Sequence, residues 1–266
     1  MNIIVCVKQV ADPEAPPSSF KIDAAGKTML LPADVLPVLD PYSEYAVEAA
    51  LKLKDTHGGK ITAISLGTGF VKDVIRKPLA MGADELVLLD DEAFTDGDSY
   101  TTALALSEAI KKIGGYDLIL CGRQSSDRDA GQVGNGIAVF LGLPVITLAR
   151  KIEVDGDSIK IERITADGYE VLQAIPPLVI SVSNEVGEPR YPTIRGIMAS
   201  KKKEPTVWQP ADIGLEASQV GAADCRSQLV KLFQPEREIS CQFIEGDTPE
   251  EAAVALADRL RQEKLL

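Results

Sequence analysis

The sequence predicts an α/β fold, a doubly wound and mostly parallel sheet with helices on both faces. In the first half of the chain, short apolar runs rich in β-branched residues alternate with longer amphipathic segments, and the connecting loops are short. This alternation is typical of repeated β-α-β units. From residue 151 to 183, polar and apolar residues alternate around two Asp-Gly turns. That second pattern predicts an antiparallel extension of the sheet.

Capping and turn residues set the boundaries of the first elements. Asp40 and Pro41 predict the start of a helix, because aspartate can accept hydrogen bonds from free N–H groups and proline suits the first helical position. Gly58-Gly59 predicts the end of this helix, and Gly82 the end of a later one. The predicted strands are 2–10, 60–66, 85–89, 117–121 and a short one near Val145. The later predicted helices are 70–81, 99–113 and one that follows loop 122–129 and ends near Leu141.

The chain divides into three predicted parts. Residues 1–184 form the α/β domain with its antiparallel extension, and residues 185–209 form a proline-containing loop followed by a basic segment. Residues 210–266 form a C-terminal arm with one clear helix. Thr248-Pro249-Glu250-Glu251 predicts the start of that helix through a capping box. Its apolar stripe (Ala253, Leu256, Ala257 and Leu260) predicts docking on a partner subunit.

Composition excludes several classes of protein. The formal net charge is −12, which argues against a general nucleic-acid binder. No apolar run reaches the roughly 18–20 residues that a membrane span needs, and the N-terminus lacks the pattern of a signal peptide. The four cysteines form no CxxC pair, so neither a zinc site nor a disulfide framework is predicted, and a reducing cytoplasm is expected.

Three polar loops follow predicted parallel strands and form the candidate ligand site: 8–12, 67–69 and 122–129. Ligands of open α/β sheets bind beyond the carboxyl ends of the strands, and helix N-termini there can hold phosphates. The patterning leaves a nucleotide site and ordinary loop chemistry as open alternatives. Gly67-Thr68-Gly69 lacks the third glycine of a dinucleotide fingerprint, and Gly26-Lys27-Thr28 lacks the upstream glycine of a phosphate-binding P-loop.

The segment from Gly122 to Gly134 carries the most information. Asp127 and Asp129 are a candidate metal or acid–base pair, but no base or third ligand stands nearby. The simpler interpretation is that Asp129 caps the next helix while Arg123 and Arg128 balance the charge. We therefore predict ligand contact for this loop, but no catalytic residue and no metal site.

Several ordered motifs resemble the beta subunit of electron-transfer flavoproteins, the family that includes the FixA proteins. The resemblance covers nearly the whole chain. The motifs are Val5-Cys6-Val7-Lys8-Gln9-Val10, Asp40-Pro41-Tyr42-Ser43-Glu44, Leu79-Ala80-Met81-Gly82-Ala83-Asp84, the segment 122–134, and the run from Glu188 to Met198 before Lys201-Lys202-Lys203. That basic run is either a solvated charge cluster or a surface that steers acidic partners.

The resemblance implies an adenine-nucleotide α-hydrolase-like fold and a heterodimer with an alpha subunit that carries the electron-transferring FAD. The implied nucleotide site comprises Cys6, Asp40, Pro41, Tyr42, Ser43, Leu66, Gly122, Arg123, Gln124, Ser125, Ser126, Asp127, Asp129, Ala130, Gly131, Gln132 and Val133. Relatives often have Asn at position 40. The implied recognition loop for a partner flavin dehydrogenase comprises Tyr191, Thr193, Ile194, Ile197 and Met198, with Ile194 as the inserted side chain.

The family has two kinds of beta subunit, one with structural AMP and one, in electron-bifurcating members, with a second FAD that accepts hydride from NADH. The run from Thr95 to Ala103 resembles the second kind, as does the long C-terminal arm. This adds Gly67, Thr68, Ser99, Thr101 and Thr102 to the predicted site. FAD is favoured over AMP, an acyl-CoA-type dehydrogenase is an expected partner and ferredoxin a further one. Whether the chain is a carrier or an NADH-oxidising subunit stays open, and ATP-pyrophosphatase-like or stress-protein-like binders are remote alternatives.

Overall fold

The computed structural model describes residues 1–27, 29–30, 32, 35–235 and 241–266. Its strands are β1 (Asn2–Cys6), β2 (Gln9–Ala11), β3 (Lys21–Ile22), β4 (Met29–Leu30), β5 (Pro37–Leu39), β6 (Lys60–Gly67), β7 (Glu85–Asp90), β8 (Leu118–Gly122), β9 (Val145–Asp155), β10 (Ser158–Thr165), β11 (Gly168–Ala174), β12 (Leu178–Val182) and β13 (Thr206–Trp208). Its α-helices are α1 (Pro41–His57), α2 (Lys72–Ile75), α3 (Lys77–Met81), α4 (Ser99–Ile113), α5 (Val133–Leu141), α6 (Ile194–Ser200) and α7 (Pro249–Gln262). Thr28, in the rejected P-loop-like segment, and residues 236–240 of the predicted arm lie outside the described residues.

Nine strands of the described chain form one sheet in the order β11-β10-β9-β12-β8-β1-β6-β7-β13. All neighbours from β9 to β13 in this order are parallel, and β10 and β11 are antiparallel at one edge. The chain runs from β1 outward through β6 and β7, and then returns to place β8 on the other side of β1. The sheet therefore has a topological switch point between β1 and β8, where ligands of such sheets bind.

Two apolar layers cover the sheet. On one face α1, α2 and α3 pack over strand residues such as Val5, Leu118 and Ile180. On the other face α4 and α5 pack over Ile4, Ile64 and Ile119. Strands that are covered on both faces have nearly continuous apolar sequences. The parallel strands could therefore be predicted from the apolar runs of this chain. The predicted fold class is confirmed.

Helix α1 begins as its sequence predicts. The Asp40 side chain accepts a hydrogen bond from the Ser43 N–H, and Pro41 occupies the first helical position. Gly58 ends the helix with a φ of 68°, a left-handed conformation that favours glycine. The predicted start of α7 is confirmed too, because Thr248 accepts from the Glu251 N–H.

Three predicted elements are corrected. The predicted strand 2–10 is two strands, because β2 leaves the main sheet and pairs with β5 instead. The predicted helix 70–81 is two short helices, since Pro78 lies in the first turn of α3 and favours a new helix start over continuation. The predicted loop 185–209 contains α6 and β13, and β13 extends the parallel sheet beside β7.

The antiparallel extension is shorter than predicted. β10 and β11 form it, but β12 lies between β9 and β8 and runs parallel to both. All five residues of β12 are buried. A strand covered on both faces belongs in the middle of a sheet rather than at its edge. Among the described residues, no helix combines the length and apolar character needed to cross a membrane.

Candidate functional site

A cavity of about 410 Å³ opens at the carboxyl ends of β1, β6 and β8, on the switch point of the sheet. This volume is in the range of small-molecule sites, which is about 300–1,000 Å³. The predicted site residues that line it are Cys6, Asp40, Ser43, Leu66, Gly67, Thr68, Ser99, Thr102, Gly122, Arg123, Gln124, Ser125, Asp127, Ala130, Gly131, Gln132 and Val133. Lys8 lines it as well, so all three predicted loops contribute to one cavity.

Asp40 joins the loop after β8 to the first turn of α1. Its carboxylate is buried; one oxygen accepts from the Ser43 N–H (3.0 Å) and the other from the Ser126 N–H (2.8 Å). The Ser43 hydroxyl in turn accepts from the Lys8 N–H (3.0 Å). Asp40 and Ser43 therefore fix the relative positions of the loops around the cavity, and both carboxylate oxygens of Asp40 have partners within the chain.

Lys8 and Asp127 form an ion pair across the cavity with an Nζ–Oδ2 distance of 2.6 Å. Burial alone would raise the pKa of Asp127, but the hydrogen bond and the charge of Lys8 outweigh burial and hold it below its usual value. This arrangement corrects the expected charge balance, in which arginines would neutralise the loop's carboxylates. Asp129 also does not cap α5; it accepts from the Gln124 side chain (2.7 Å) instead.

Arg123 and Arg128 consequently keep their charges free. Among the described residues neither guanidinium pairs with a carboxylate: Arg123 donates to the Gln124 side chain (3.3 Å) and Arg128 to the Gly97 carbonyl (3.5 Å). Both arginines line the cavity. Two unpaired guanidinium groups favour an anionic ligand there, and guanidinium geometry matches phosphate well.

The N-terminus of α5 adds backbone donors to this positive region. Its N-cap residue, Gln132, makes no capping hydrogen bond with its side chain. Within the described chain, the N–H groups of Val133, Gly134 and Asn135 have no acceptor, and all three residues line the cavity. Free N–H groups at a helix N-terminus form a binding site for phosphate or another anion.

The N-terminus of α4 differs because a carboxylate already occupies it. Asp98 Oδ1 accepts from the N–H groups of Tyr100 and Thr101 (both 3.0 Å). Its Oδ2 accepts from the N–H groups of Arg226 (2.7 Å) and Ser227 (2.9 Å) at the base of the arm. Burial alone would raise the pKa of Asp98, but these donors lower it to about 2. A ligand phosphate is thus better accommodated at α5 than at α4.

Five predicted site residues do not line the cavity: Pro41, Tyr42, Thr101, Ser126 and Asp129. Thr101 is buried with its hydroxyl beside Asp98, and the Ser126 hydroxyl is buried with no partner in the described chain. Tyr42 fills the space beside Gly122, where an added Cβ would lie 2.7 Å from the Tyr42 Cβ. Gly122 is therefore needed for contact with α1, besides lining the cavity as predicted.

Several lining residues were not named individually as site residues; they are Val7, Lys8, Phe94, Thr95, Asp96, Gly97, Asp98, Leu106, Cys121, Arg128, Gly134, Asn135 and Ser181. Lys8 and Arg128 lie in loops 8–12 and 122–129, which the strand-end rule did predict, and Ser181 lies near the end of β12, where the same rule had a signal. Leu106 and Cys121 lie within a helix and a strand, and only the packing of those elements turns them towards the cavity.

Two cysteines form the inner wall of the cavity. Cys6 ends β1, and Cys121 is its register partner on β8. A hydrogen bond with Cys121, together with burial, raises the pKa of Cys6 well above its ordinary value. The Cys6 thiol therefore remains protonated at neutral pH. Within the described chain no group of three His, Cys, Asp or Glu side chains is arranged to hold a metal ion.

The predicted recognition residues form a separate surface on α6 and the turn before it. Tyr191 is 93% exposed and Ile194 81% exposed, and Thr193, Ile197 and Met198 are exposed beside them. Thr193 caps α6 by accepting from the Gly196 N–H (3.0 Å). Gly196 lies against α3, where an added Cβ would be 2.3 Å from the Ala80 carbonyl oxygen. Of the basic run, Lys203 caps backbone carbonyls of Ala83 and Asp84.

The fold and the cavity together define a doubly wound α/β protein with a cleft at its switch point, lined by acceptor-free N–H groups and unpaired arginines. The sequence profile of the electron transfer flavoprotein domain matches residues 32–213. The beta subunit of the electron transfer flavoprotein of Thermoanaerobacterium thermosaccharolyticum is 37% identical over 267 residues, and the corresponding subunit of Megasphaera elsdenii is 37% identical over 275 residues. Subunit CarD of the caffeyl-CoA reductase–Etf complex of Acetobacterium woodii is 35% identical over 267 residues. Each match covers 100% of both chains.

The chain belongs to the electron transfer flavoprotein family, as a beta subunit. Its role is accordingly in electron transfer, as the resemblance of its motifs indicated.

Proposed function

We propose that the cavity at the switch point binds the phosphates of FAD, with AMP as the alternative ligand. The observation that carries this proposal is the combination of three acceptor-free N–H groups at the start of α5 with the unpaired arginines 123 and 128. Backbone donors and guanidinium groups together favour a phosphate or diphosphate over a neutral ligand. Lys8 contributes less, because its charge is already balanced by Asp127.

FAD is the ligand that uses more of this cavity. Besides the loop after β8, the lining includes Gly67 and Thr68 after β6 and Ser99 and Thr102 at the start of α4. A long dinucleotide can contact all these segments at once, whereas AMP needs fewer of them. When bound, FAD supplies hydride and single-electron chemistry. The side chains of this subunit then bind and orient the cofactor, which agrees with the lack of a predicted catalytic residue.

The chain works in a heterodimer with the alpha subunit of the same family. Helix α7 has no buried residue, and its exposed apolar residues include Val254 and Leu256. An unburied stripe of this kind is typical of a helix that docks on another chain. In our proposal α7 and the arm before it provide part of the contact with the alpha subunit.

The electron donors and acceptors follow from the same assignment. We infer that NADH reduces the flavin of this subunit and that the heterodimer is electron-bifurcating. The exposed recognition residues around Ile194 would contact a flavin dehydrogenase of the acyl-CoA type. The name of the Acetobacterium woodii relative supports a CoA-linked partner. Ferredoxin is the proposed low-potential acceptor. The four free cysteines of the chain fit the reducing cytoplasm that we propose as its location.

Cofactor stoichiometry of the purified heterodimer tests this function. Denaturation should release two FAD and no AMP per heterodimer, and NADH should reduce bound flavin under anaerobic conditions. One FAD with one AMP, and no reduction by NADH, would support the AMP-binding type and contradict bifurcation. Absence of any nucleotide from this subunit in the purified, active heterodimer would contradict the site itself.

An arginine variant tests the phosphate site directly. Arg128→Ala removes an unpaired charge from the cavity wall and should weaken nucleotide retention by about 10- to 150-fold, since a charge-assisted hydrogen bond contributes about 1.5–3 kcal/mol. Arg195→Ala is the matched control, because Arg195 is exposed on α6 outside the cavity. Retention would be measured as nucleotide bound after gel filtration. Equal losses in both variants would contradict a role for Arg128.

A further inference from the structure

Cys6 and Cys121 form a pair of thiols that the proposed function does not use. They lie on neighbouring parallel strands as register partners, and both line the cavity. Register partners on adjacent strands point to the same face of a sheet. Both side chains belong to the apolar layer between the sheet and helices α4 and α5, and the neighbouring Cys121 raises the pKa of the Cys6 thiol. The chain's two remaining cysteines, Cys225 and Cys241, lie outside the sheet.

The strand geometry permits a bond between these sulfur atoms. Neighbouring strands lie about 4.7–4.9 Å apart, which falls within the roughly 4.4–6.8 Å between the Cα atoms of disulfide-bonded cysteines. The preferred Cβ separation of a disulfide is about 3.8 Å, so the strands must move slightly closer. A disulfide under such strain is more easily reduced than a relaxed structural one. The geometry therefore favours a reversible cross-link.

Access to the thiols runs through the cavity. Cys121 itself is only 5% exposed, and α5 packs beside it at Gly134, where an added Cβ would lie 3.5 Å from the Cys121 Sγ. Bulky oxidants are excluded from such a position, whereas a small one can enter from the open side. The raised pKa of Cys6 keeps its thiol protonated and slows its oxidation, because the thiolate is the nucleophile.

We propose that Cys6 and Cys121 are a dithiol–disulfide site, which hydrogen peroxide oxidises when no nucleotide covers the cavity wall. The first sulfur attacks one peroxide oxygen; an S–O bond forms, the O–O bond breaks, and the released hydroxide takes up the thiol proton as water. The second sulfur then attacks the sulfenic sulfur; the S–S bond forms, the S–O bond breaks, and a second water leaves. Two thiols lose two electrons and two protons, and one peroxide is reduced to two waters.

The cross-link has a direct consequence for the ligand site. Lys8 follows Cys6 by two positions, and Gly122 and Arg123 follow Cys121 immediately. Drawing the two strand ends together displaces both loops that line the cavity. The oxidised protein should therefore bind nucleotide less tightly, and bound nucleotide should protect the thiols. This link to occupancy rests on the proposed function, whereas formation of the disulfide does not.

Peroxide treatment of the full-length chain in its heterodimer tests the cross-link. The background is the variant Cys225→Ser with Cys241→Ser, in which only Cys6 and Cys121 remain in this chain. After removal of bound nucleotide, peroxide should consume both thiols, and the mass of the chain should fall by two hydrogen atoms. Peptide mapping should find the two cysteines linked, and dithiothreitol should restore both thiols. Separate oxidation of each cysteine to a sulfenic or sulfinic acid, with no linked peptide, would overturn the proposal.

Single variants in the same background are the matched controls. With Cys6→Ser or Cys121→Ser the remaining thiol has no partner, so no disulfide within the chain can form and oxidation should stop at an oxygenated sulfur. A mass loss of two hydrogens in either single variant would also overturn the proposal, because the bond would then involve another group.

Nucleotide protection separates this proposal from the proposed function. With AMP or FAD at 100 times its Kd only about 1% of sites are empty, so thiol loss should slow by about 100-fold. Protection by either nucleotide supports both proposals and identifies the ligand. A linked Cys6–Cys121 peptide without protection by AMP or FAD would leave the dithiol site standing and contradict the nucleotide site. Protection without a linked peptide would support the nucleotide site and contradict the dithiol site.

Discussion

Helices α4 and α7 have the same amphipathic pattern, but one is packed against the sheet and the other is exposed. Each has a side-chain cap at its start, Asp98 for α4 and Thr248 for α7, and each carries one apolar stripe. Seven residues of α4 are buried in the apolar layer between the helix and the sheet, whereas no residue of α7 is buried. An amphipathic helix pattern therefore does not by itself show whether the helix packs inside its own chain. Since the described chain offers no partner for the stripe of α7, we propose that this surface binds another subunit.

Removal of α7 is the strongest test of this comparison. Truncation before Asp247 should abolish most heterodimer formation, since burial of Leu256 and Leu260 alone contributes about 3–6 kcal/mol before the costs of association. The body should keep its own stability, because α7 contributes nothing to its core. Heterodimer yield by gel filtration and thermal unfolding of the isolated chain measure the two effects.

A point variant offers a matched control for the truncation. Leu256→Asp should lower heterodimer yield, whereas Asp258→Ala on the same helix should not, because its ion pair with Arg261 is exposed. Unchanged pairing affinity of the truncated chain would contradict the role assigned to α7.

Gly122, at the end of β8, tests the packing of the α/β domain itself. An added Cβ would lie 2.7 Å from the Tyr42 Cβ and 2.8 Å from its carbonyl carbon. Gly122→Ala should therefore lower the free energy of unfolding by about 1–3 kcal/mol and disturb the nucleotide loop. Gly134→Ala is the control, because its Cβ meets Cys121 at an ordinary 3.5 Å. Urea unfolding should leave Gly134→Ala within about 1 kcal/mol of the parent; equal losses would contradict the packing argument.

Ile194 tests whether a second exposed surface also has a partner. Ile194→Ala should slow electron transfer with an acyl-CoA-type dehydrogenase, with a loss of about 1–3 kcal/mol in complex formation, because an apolar anchor fills a pocket of its partner. Flavin content and folding should not change. Val171→Ala, an exposed apolar residue on β11, is the control. Identical stopped-flow kinetics for parent and Ile194→Ala would remove this surface from the dehydrogenase contact.

Asp98 links the packed body to the arm and gives the smallest effect. Its pKa is lowered to about 2 from an ordinary 3.8, so its contribution to stability is complete above pH 3.8 and is lost as the pH falls through about 2. Asp98→Asn keeps an oxygen that can cap α4 but removes the negative charge, so it should cost about 1 kcal/mol at neutral pH, because hydrogen bonds to a charged acceptor are stronger than those to a neutral one. It should also make the free energy of unfolding less dependent on pH between pH 3.8 and about 2. Asp258→Asn should change neither, and a full acid transition in Asp98→Asn would contradict the assignment.

The sequence predicted much of the candidate site because strand ends are visible as boundaries between apolar runs and polar loops. Loops 67–69 and 122–129 were predicted from this pattern, and both line the cavity. The segment before α4 came only from a resemblance to known proteins. Whether these residues bind nucleotide stays a prediction. The prediction failed where the direction of a side chain mattered. Thr101 lies in the first turn of α4, but its side chain is buried beside Asp98 and does not line the cavity.

Local chemistry in the sequence determined the α/β class, the parallel first half, and the caps of α1 and α7. These features depend on residues a few positions apart, so a single chain segment contains the information. Tertiary structure decided the position of β12 between β9 and β8, the pairing of Lys8 with Asp127, and the register that brings Cys6 beside Cys121. Such contacts join residues more than 25 positions apart in the sequence. Their physical cause is the order in which strands enter the sheet, and no local pattern of residues records that order.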